Sequence, residues 1–171
     1  MKLGIELQKF WDWSGLTPVE YVSGMLPRNP DIGKVAEWVD DYPFWEDLKH
    51  AFTGAIVENS HFKDPMVIDQ LLYAIAIDNE NEFFADYVVA AVDSFRIDVI
   101  FDAAIISPVK DAKWQLASRV LCSQSNNKIY YLLKFLKKSQ DEYTEKRALR
   151  ALESLGVPLD RIEEWFSNND V

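Results

Sequence analysis

Apolar residues recur along this chain at the spacing of one face of an α-helix. Ile68, Leu71, Leu72 and Ile75 follow i, i+3, i+4, i+7, and so do Ala148, Ala151, Leu152 and Leu155. Proline, glycine and capping residues punctuate these segments. Thr17-Pro18 with Glu20 reads as an N-cap, a proline at the first helical position and a capping box. Asn29-Pro30, Asp64-Pro65 and Ser107-Pro108 repeat the cap-plus-proline pairing. Pro43 and Pro158 open apolar-periodic segments, Pro27 falls between two of them, and Gly156 after Leu155 is a left-handed stop. The pattern predicts helices over 5–12, 18–25, 31–40, 43–58, 65–78, 80–94, 96–106, 108–123, 126–138, 141–155 and 158–167. Tyr87 to Val92 has the composition of a buried strand, but residues 55–155 contain no glycine, which disfavours tight hairpin turns there. The fold class is therefore all-α.

Length and composition narrow this further. A chain of 171 residues fits one domain, residues 1–171, which buries roughly 70% of the surface of its unfolded chain. With 49% hydrophobic and 27% charged residues it is too apolar for disorder. The longest apolar run, Leu71 to Ile77, has seven residues where a membrane helix needs about 20, so no membrane span is expected. Met1 to Phe10 carries Glu6 and lacks an apolar stretch, unlike a signal peptide. The lone cysteine, Cys122, has no partner for an internal disulfide and there is no glycosylation sequon, so the expected location is the cytoplasm. Cys122 is read as a small hydrophobe on the apolar side of its helix.

Charge is both negative and uneven. The net charge is −10; residues 1–39 carry 4 basic and 5 acidic side chains, residues 40–102 carry 3 and 14, and residues 103–171 carry 11 and 9. Phosphate contacts are made by Lys and Arg, so the balance opposes direct nucleic-acid binding and favours a basic partner.

The segment from Asp141 to Pro158, with Arg147-Ala148-Leu149-Arg150-Ala151-Leu152 and then Leu155-Gly156-Val157-Pro158, resembles the first helix of a bacterial HEAT-type repeat. Lys113 to Leu121 looks like a degenerate copy: setting Ala117 against Ala148 also aligns Val120 with Ala151 and Leu121 with Leu152, a shift of 31 residues. The resemblance implies an α-solenoid of stacked helical hairpins. Four would run 43–58 with 65–78, 80–94 with 96–106, 108–123 with 126–138, and 141–155 with 158–167, within residues 43–171. Residues 1–42 would form an N-terminal helical cap on the stack.

Catalytic and cofactor motifs are missing from the sequence. The six glycines are never closer than nine residues, so no phosphate loop or dinucleotide fingerprint can be written. Neither Gly-x-Ser-x-Gly nor His-Glu-x-x-His occurs. His50 and His61, the only histidines, match no zinc spacing and are read as surface or packing residues. Glu163-Glu164 and Glu142 with Glu145 are read as solvated faces or first-turn acids. Trp11, Trp13, Trp38 and Trp45 are read as the core of the cap. No cofactor, metal or catalytic residue is expected.

In a HEAT-like stack the second helix of each hairpin usually lines the concave face. That places Asp69 and Tyr73, then Asp98 and Asp102, then Tyr130 on one trough, with Asp78, Glu80 and Glu82 added from the loop between hairpins. These eight residues are the candidate partner-binding set. In size, charge and helix content the chain is also similar to bacterial immunity proteins that neutralise basic nuclease toxins, including those of contact-dependent growth inhibition. That likeness implies a basic protein partner, a toxin nuclease domain, held by acidic side chains at sites meant for phosphate. A HEAT-like DNA glycosylase and a passive protein scaffold are the alternative readings; the former needs a basic concave face, and residues 40–102 are at −11.

Overall fold

The computed structural model describes residues 2–29, 32, 41–59, 62 and 64–168. They form helices α1 (Lys2–Ser14), α2 (Pro18–Val22), α3 (Trp45–Glu58), α4 (Pro65–Ile77), α5 (Phe83–Ala91), α6 (Ser94–Ile106), α7 (Lys110–Arg119), α8 (Lys128–Lys138), α9 (Glu142–Ser154) and α10 (Leu159–Asn168). Among the described residues there is no strand. The helix expected over 31–40 lies outside them, as do His61 and Trp38.

Local chemistry sets the helix ends. Thr17 caps α2 through the capping box, its Oγ1 accepting from the Glu20 N–H while the Glu20 carboxylate accepts from the Thr17 N–H. Arg28 and then the Thr17 N–H hold the Glu20 carboxyl down at about 2. Asp64 caps α4 before Pro65, and Asp141 caps α9 through the N–H groups of Tyr143 and Thr144. At the end of α9, Gly156 sits at φ +69, its N–H donates to the Glu153 carbonyl, and the Val157 N–H donates to the Leu152 carbonyl, a Schellman stop.

Ends shift by up to three or four residues, as for the helix expected over 80–94, which runs Phe83–Ala91, and two residues depart from their expected roles. Ser107 does not cap a helix at Pro108: its Oγ accepts from the Val109 N–H in a short turn, and α7 begins at Lys110. After Arg119 the chain tightens into a 3₁₀ turn over Val120–Cys122, and Cys122 is exposed rather than buried. Three residues per turn move it off the apolar face that continued α-helical spacing would give it.

Packing orders the helices. α3 packs on α5, α5 on α7 and α7 on α9; α4 packs on α6 and α6 on α8. Asp98 pairs with Asn127, and Asp102 with Tyr131 and Lys134, so α6 and α8 run side by side in the same direction. Helix α7 touches α4, α5, α6, α8 and α9, which makes it the hub of the molecule. The buried Gln115 of α7 donates to the Ile75 carbonyl of α4 at 2.7 Å. The Tyr21 hydroxyl of α2 lies 2.7 Å from Asp111 and 3.0 Å from the Ala76 carbonyl, and burial, with Asp111 beside it, raises that phenol well above its ordinary value.

The core is continuous from Leu3 to Ile162. Phe10, Trp11, Trp13, Tyr42, Phe44 and Trp45 form an aromatic cluster at the amino-terminal end. Edge and tilted ring contacts of this kind add to the large area that each ring buries. Helix α1 packs on α3 and α4, so the amino-terminal segment covers a flank of the molecule.

Candidate functional site

Helix α6 presents two faces because its residues advance by about 100° each. Ile97, Ile100, Phe101, Ala104 and Ile105 are buried, which leaves Phe95, Asp98, Val99, Asp102 and Ile106 on the outer side. Asp93 caps the helix through the N–H groups of Phe95 and Arg96, and its carboxyl is lowered by those bonds to Arg96. The Arg96 guanidinium donates to Asp93 and to the Ile56 carbonyl and lies over the Phe62 ring. That contact sets the first turn of α6 beside the segment leading into α4.

Across from α6, α8 supplies polar partners. Asn127 Nδ2 donates to Asp98 Oδ2 at 3.0 Å, while Asp98 Oδ1 is shielded from solvent and accepts no hydrogen bond from the described residues. Asp102 is exposed and accepts from the Tyr131 hydroxyl at 3.3 Å and from Lys134 Nζ at 3.2 Å. Lys134 also lies 4.6 Å from the centre of the Tyr130 ring, which is 45% exposed. Burial, and then Asp102 and Asp98, raise the Tyr131 phenol; hydrogen bonds to Tyr130 and Asp102 raise the Lys134 ammonium. Both groups therefore keep their protons beside the carboxylates at neutral pH.

The eight expected residues thus fall into three groups. Asp98, Asp102 and Tyr130 share the α6–α8 surface. Asp69 is exposed on the neighbouring α4, but Tyr73 is half-buried: Trp11 of α1 meets its ring edge-on at 5.8 Å, so α1 covers part of the expected trough. Burial and then Asp69 raise the Tyr73 phenol. Of the loop acids, Asp78 and Glu82 are engaged away from this surface.

Asp78 is the clear departure from the expected surface set. Only 1% exposed, it accepts from the Phe84 N–H at 2.9 Å and so caps α5 from the end of α4. Burial pushes its carboxyl up to about 6, against the lowering effect of the Phe84 and Phe83 N–H groups and Lys49. Glu82 occupies the N-cap position with a left-handed φ of 53, its N–H donating to the Asp78 carbonyl. Its carboxylate is paired with Arg119, which also holds Asp86 at 2.7 Å. Asp78 ties the end of α4 to the start of α5, Glu82 fastens that turn to the hub helix through Arg119, and Glu80 is exposed on it.

Phe95 and Ile106 are the site residues that the charge argument missed. They are 66% and 84% exposed and share the face of Val99 and Asp102. Their i, i+4, i+7, i+11 spacing was present in the sequence, hidden because the rest of α6 is equally apolar. A concavity of about 610 Å³ lies between α8, the end of α9 and α10, lined by Ile129, Leu133, Leu155, Arg161 and Trp165.

Among the described residues no three His, Cys, Asp or Glu side chains are grouped to hold a metal ion, and no helix is long and apolar enough to cross a membrane. Compared with protein-family models, curated proteins and solved structures, the chain matches none.

Proposed function

We propose that this chain acts by binding a basic protein in the cytoplasm, as an immunity protein that covers the active site or substrate surface of a bacterial nuclease toxin. The observation that carries the reading is the α6–α8 surface, where Asp98 and Asp102, from the stretch that carries −11, lie beside exposed Tyr130. Carboxylates set in that way match the cationic groups with which a nuclease holds phosphate. The HEAT-like reading draws support from the order α3–α5–α7–α9 in one set of contacts and α4–α6–α8 in the other. Contact between α7 and α4, two hairpins apart, makes the proposed stack more closed than a linear solenoid.

On this reading a neighbouring gene encodes a basic nuclease domain, and the test is a complex with it. Stoichiometric protein should abolish nuclease activity, and higher ionic strength should slow association much more than it speeds dissociation. Changing Asp98→Asn with Asp102→Lys should weaken the complex at least ~100-fold, about 3 kcal/mol. Asn at 98 keeps an acceptor for Asn127, and circular dichroism checks that the fold survives the loss of the Asp102 contacts with Tyr131 and Lys134. Glu163→Lys with Glu164→Lys, exposed on α10, is the control. Equal binding by both double variants rejects this surface, and tight binding of duplex DNA by the unmodified protein favours the glycosylase reading.

A further inference from the structure

Scattered exposed apolar side chains are ordinary on a protein surface, whereas several on one face beside charge of one sign are not. Phe95, Val99 and Ile106 share one face of α6, with Asp102 on the turn between Val99 and Ile106 and Asp98 on the same α8 side. Phe95 and Ile106 are 66% and 84% exposed, and Val99 is half-buried between them. On the next helix, Met66 is 64% exposed one turn before the exposed Asp69. On the other side stands Tyr130. The result is a row about 16 Å long, the rise of eleven helical residues, apolar at Phe95, Val99 and Ile106 and carrying the Asp102 carboxylate between the last two.

We propose that this outer face of α6 is a docking surface for one cationic amphipathic helix of the partner protein. The proposal rests on the binding function proposed above and names the part of the partner that this surface fits. Charge complementarity selects the occupant. Arg96, the one basic residue of α6, is engaged by Asp93 and the Ile56 carbonyl, and Lys134 is engaged by Asp102. Lysine or arginine flanking an apolar stripe supplies donors to Asp98, Asp102 and Asp69 while its apolar side covers Phe95, Val99 and Ile106. A helix offers side chains at i, i+4, i+7 and i+11 over three turns, which matches a straight row of this length.

The experiment uses the full chain and a short fluorescent peptide of leucine and lysine whose leucines follow i, i+3, i+4, i+7. A peptide of the same composition in scrambled order is the comparison, and anisotropy is read at low salt. The amphipathic peptide should bind the tighter of the two, and Phe95→Ala with Ile106→Ala should weaken it at least ~10-fold. Both side chains are mostly exposed, so the variant should keep the circular dichroism of the parent. Amide shifts induced in the unmodified protein should fall on α6 and the start of α8, a measurement that needs no variant. Absence of binding, equal binding of the scrambled peptide, or shifts confined to other helices would overturn the proposal. So would unchanged peptide affinity in the Phe95/Ile106 variant. If, in addition, that variant held the nuclease domain normally while Asp98→Asn with Asp102→Lys weakened it, the acidic surface would stand as the binding site without the helix-docking row.

Discussion

Asp78→Asn separates the two consequences of a buried carboxyl. In the native chain Asp78 is 1% exposed, with one oxygen on the Phe84 N–H and the other without a partner among the described residues. Its affinity for a proton is raised from the ordinary 3.8 to about 6 because burial disfavours the charged form. A group held above its unfolded value takes up its proton more readily when folded, so its contribution to stability is full at low pH and is lost as pH rises through about 6. At ~1.4 kcal/mol per tenfold change in proton affinity, the whole effect is about 3 kcal/mol, of which about 2 kcal/mol separates pH ~4.5 from pH ~7.5. Asparagine keeps the acceptor for Phe84 and does not ionise. The cost of burying its NH₂ is the same at both pH values and cancels in the comparison. Urea titrations followed by tryptophan fluorescence should therefore show the variant gaining about 2 kcal/mol on the parent between pH ~4.5 and ~7.5. A stability difference that is the same at both pH values would show that Asp78 is not held as a buried, proton-binding carboxyl.

Phe84 is fully buried, with its ring centre 4.4 Å from that of Phe52 and 5.7 Å from that of Trp45. Phe84→Ala should cost about 4 kcal/mol in the same titration, and a loss below ~2 kcal/mol would mean that the α3–α5 contact is loosely packed. Asp141→Ala removes the acceptor for the Tyr143 and Thr144 N–H groups and should cost about 1 kcal/mol, with no change in helix content beyond the first turn of α9. Cys122 is exposed and should react with a disulfide reagent in the folded protein within a few-fold of its rate in urea; strong protection would return it to the core.

Much of the helical order was readable from the chain, and for one reason. The Thr17 box, the Asp64 cap and the Gly156 stop each involve residues within a few positions of one another, so the local sequence carries the whole interaction. The candidate surface was readable by half. Periodicity set Asp98 and Asp102 on the outer side of α6, but Asp78 and Glu82 are just as acidic and differ only in their surroundings. One is buried against the start of α5, and the other is paired with an arginine 37 residues further on.

Composition and spacing, then, determined that the chain is helical, where most helices begin and end, and that its middle third is strongly acidic. Tertiary packing alone decided that α7 is the hub, that Trp11 covers Tyr73, that Cys122 faces outward and that Phe95 and Ile106 remain uncovered beside the acids. The physical reason is range: a cap or a helical face is settled within one or two turns, whereas burial and ion pairing depend on which distant side chain arrives to exclude water.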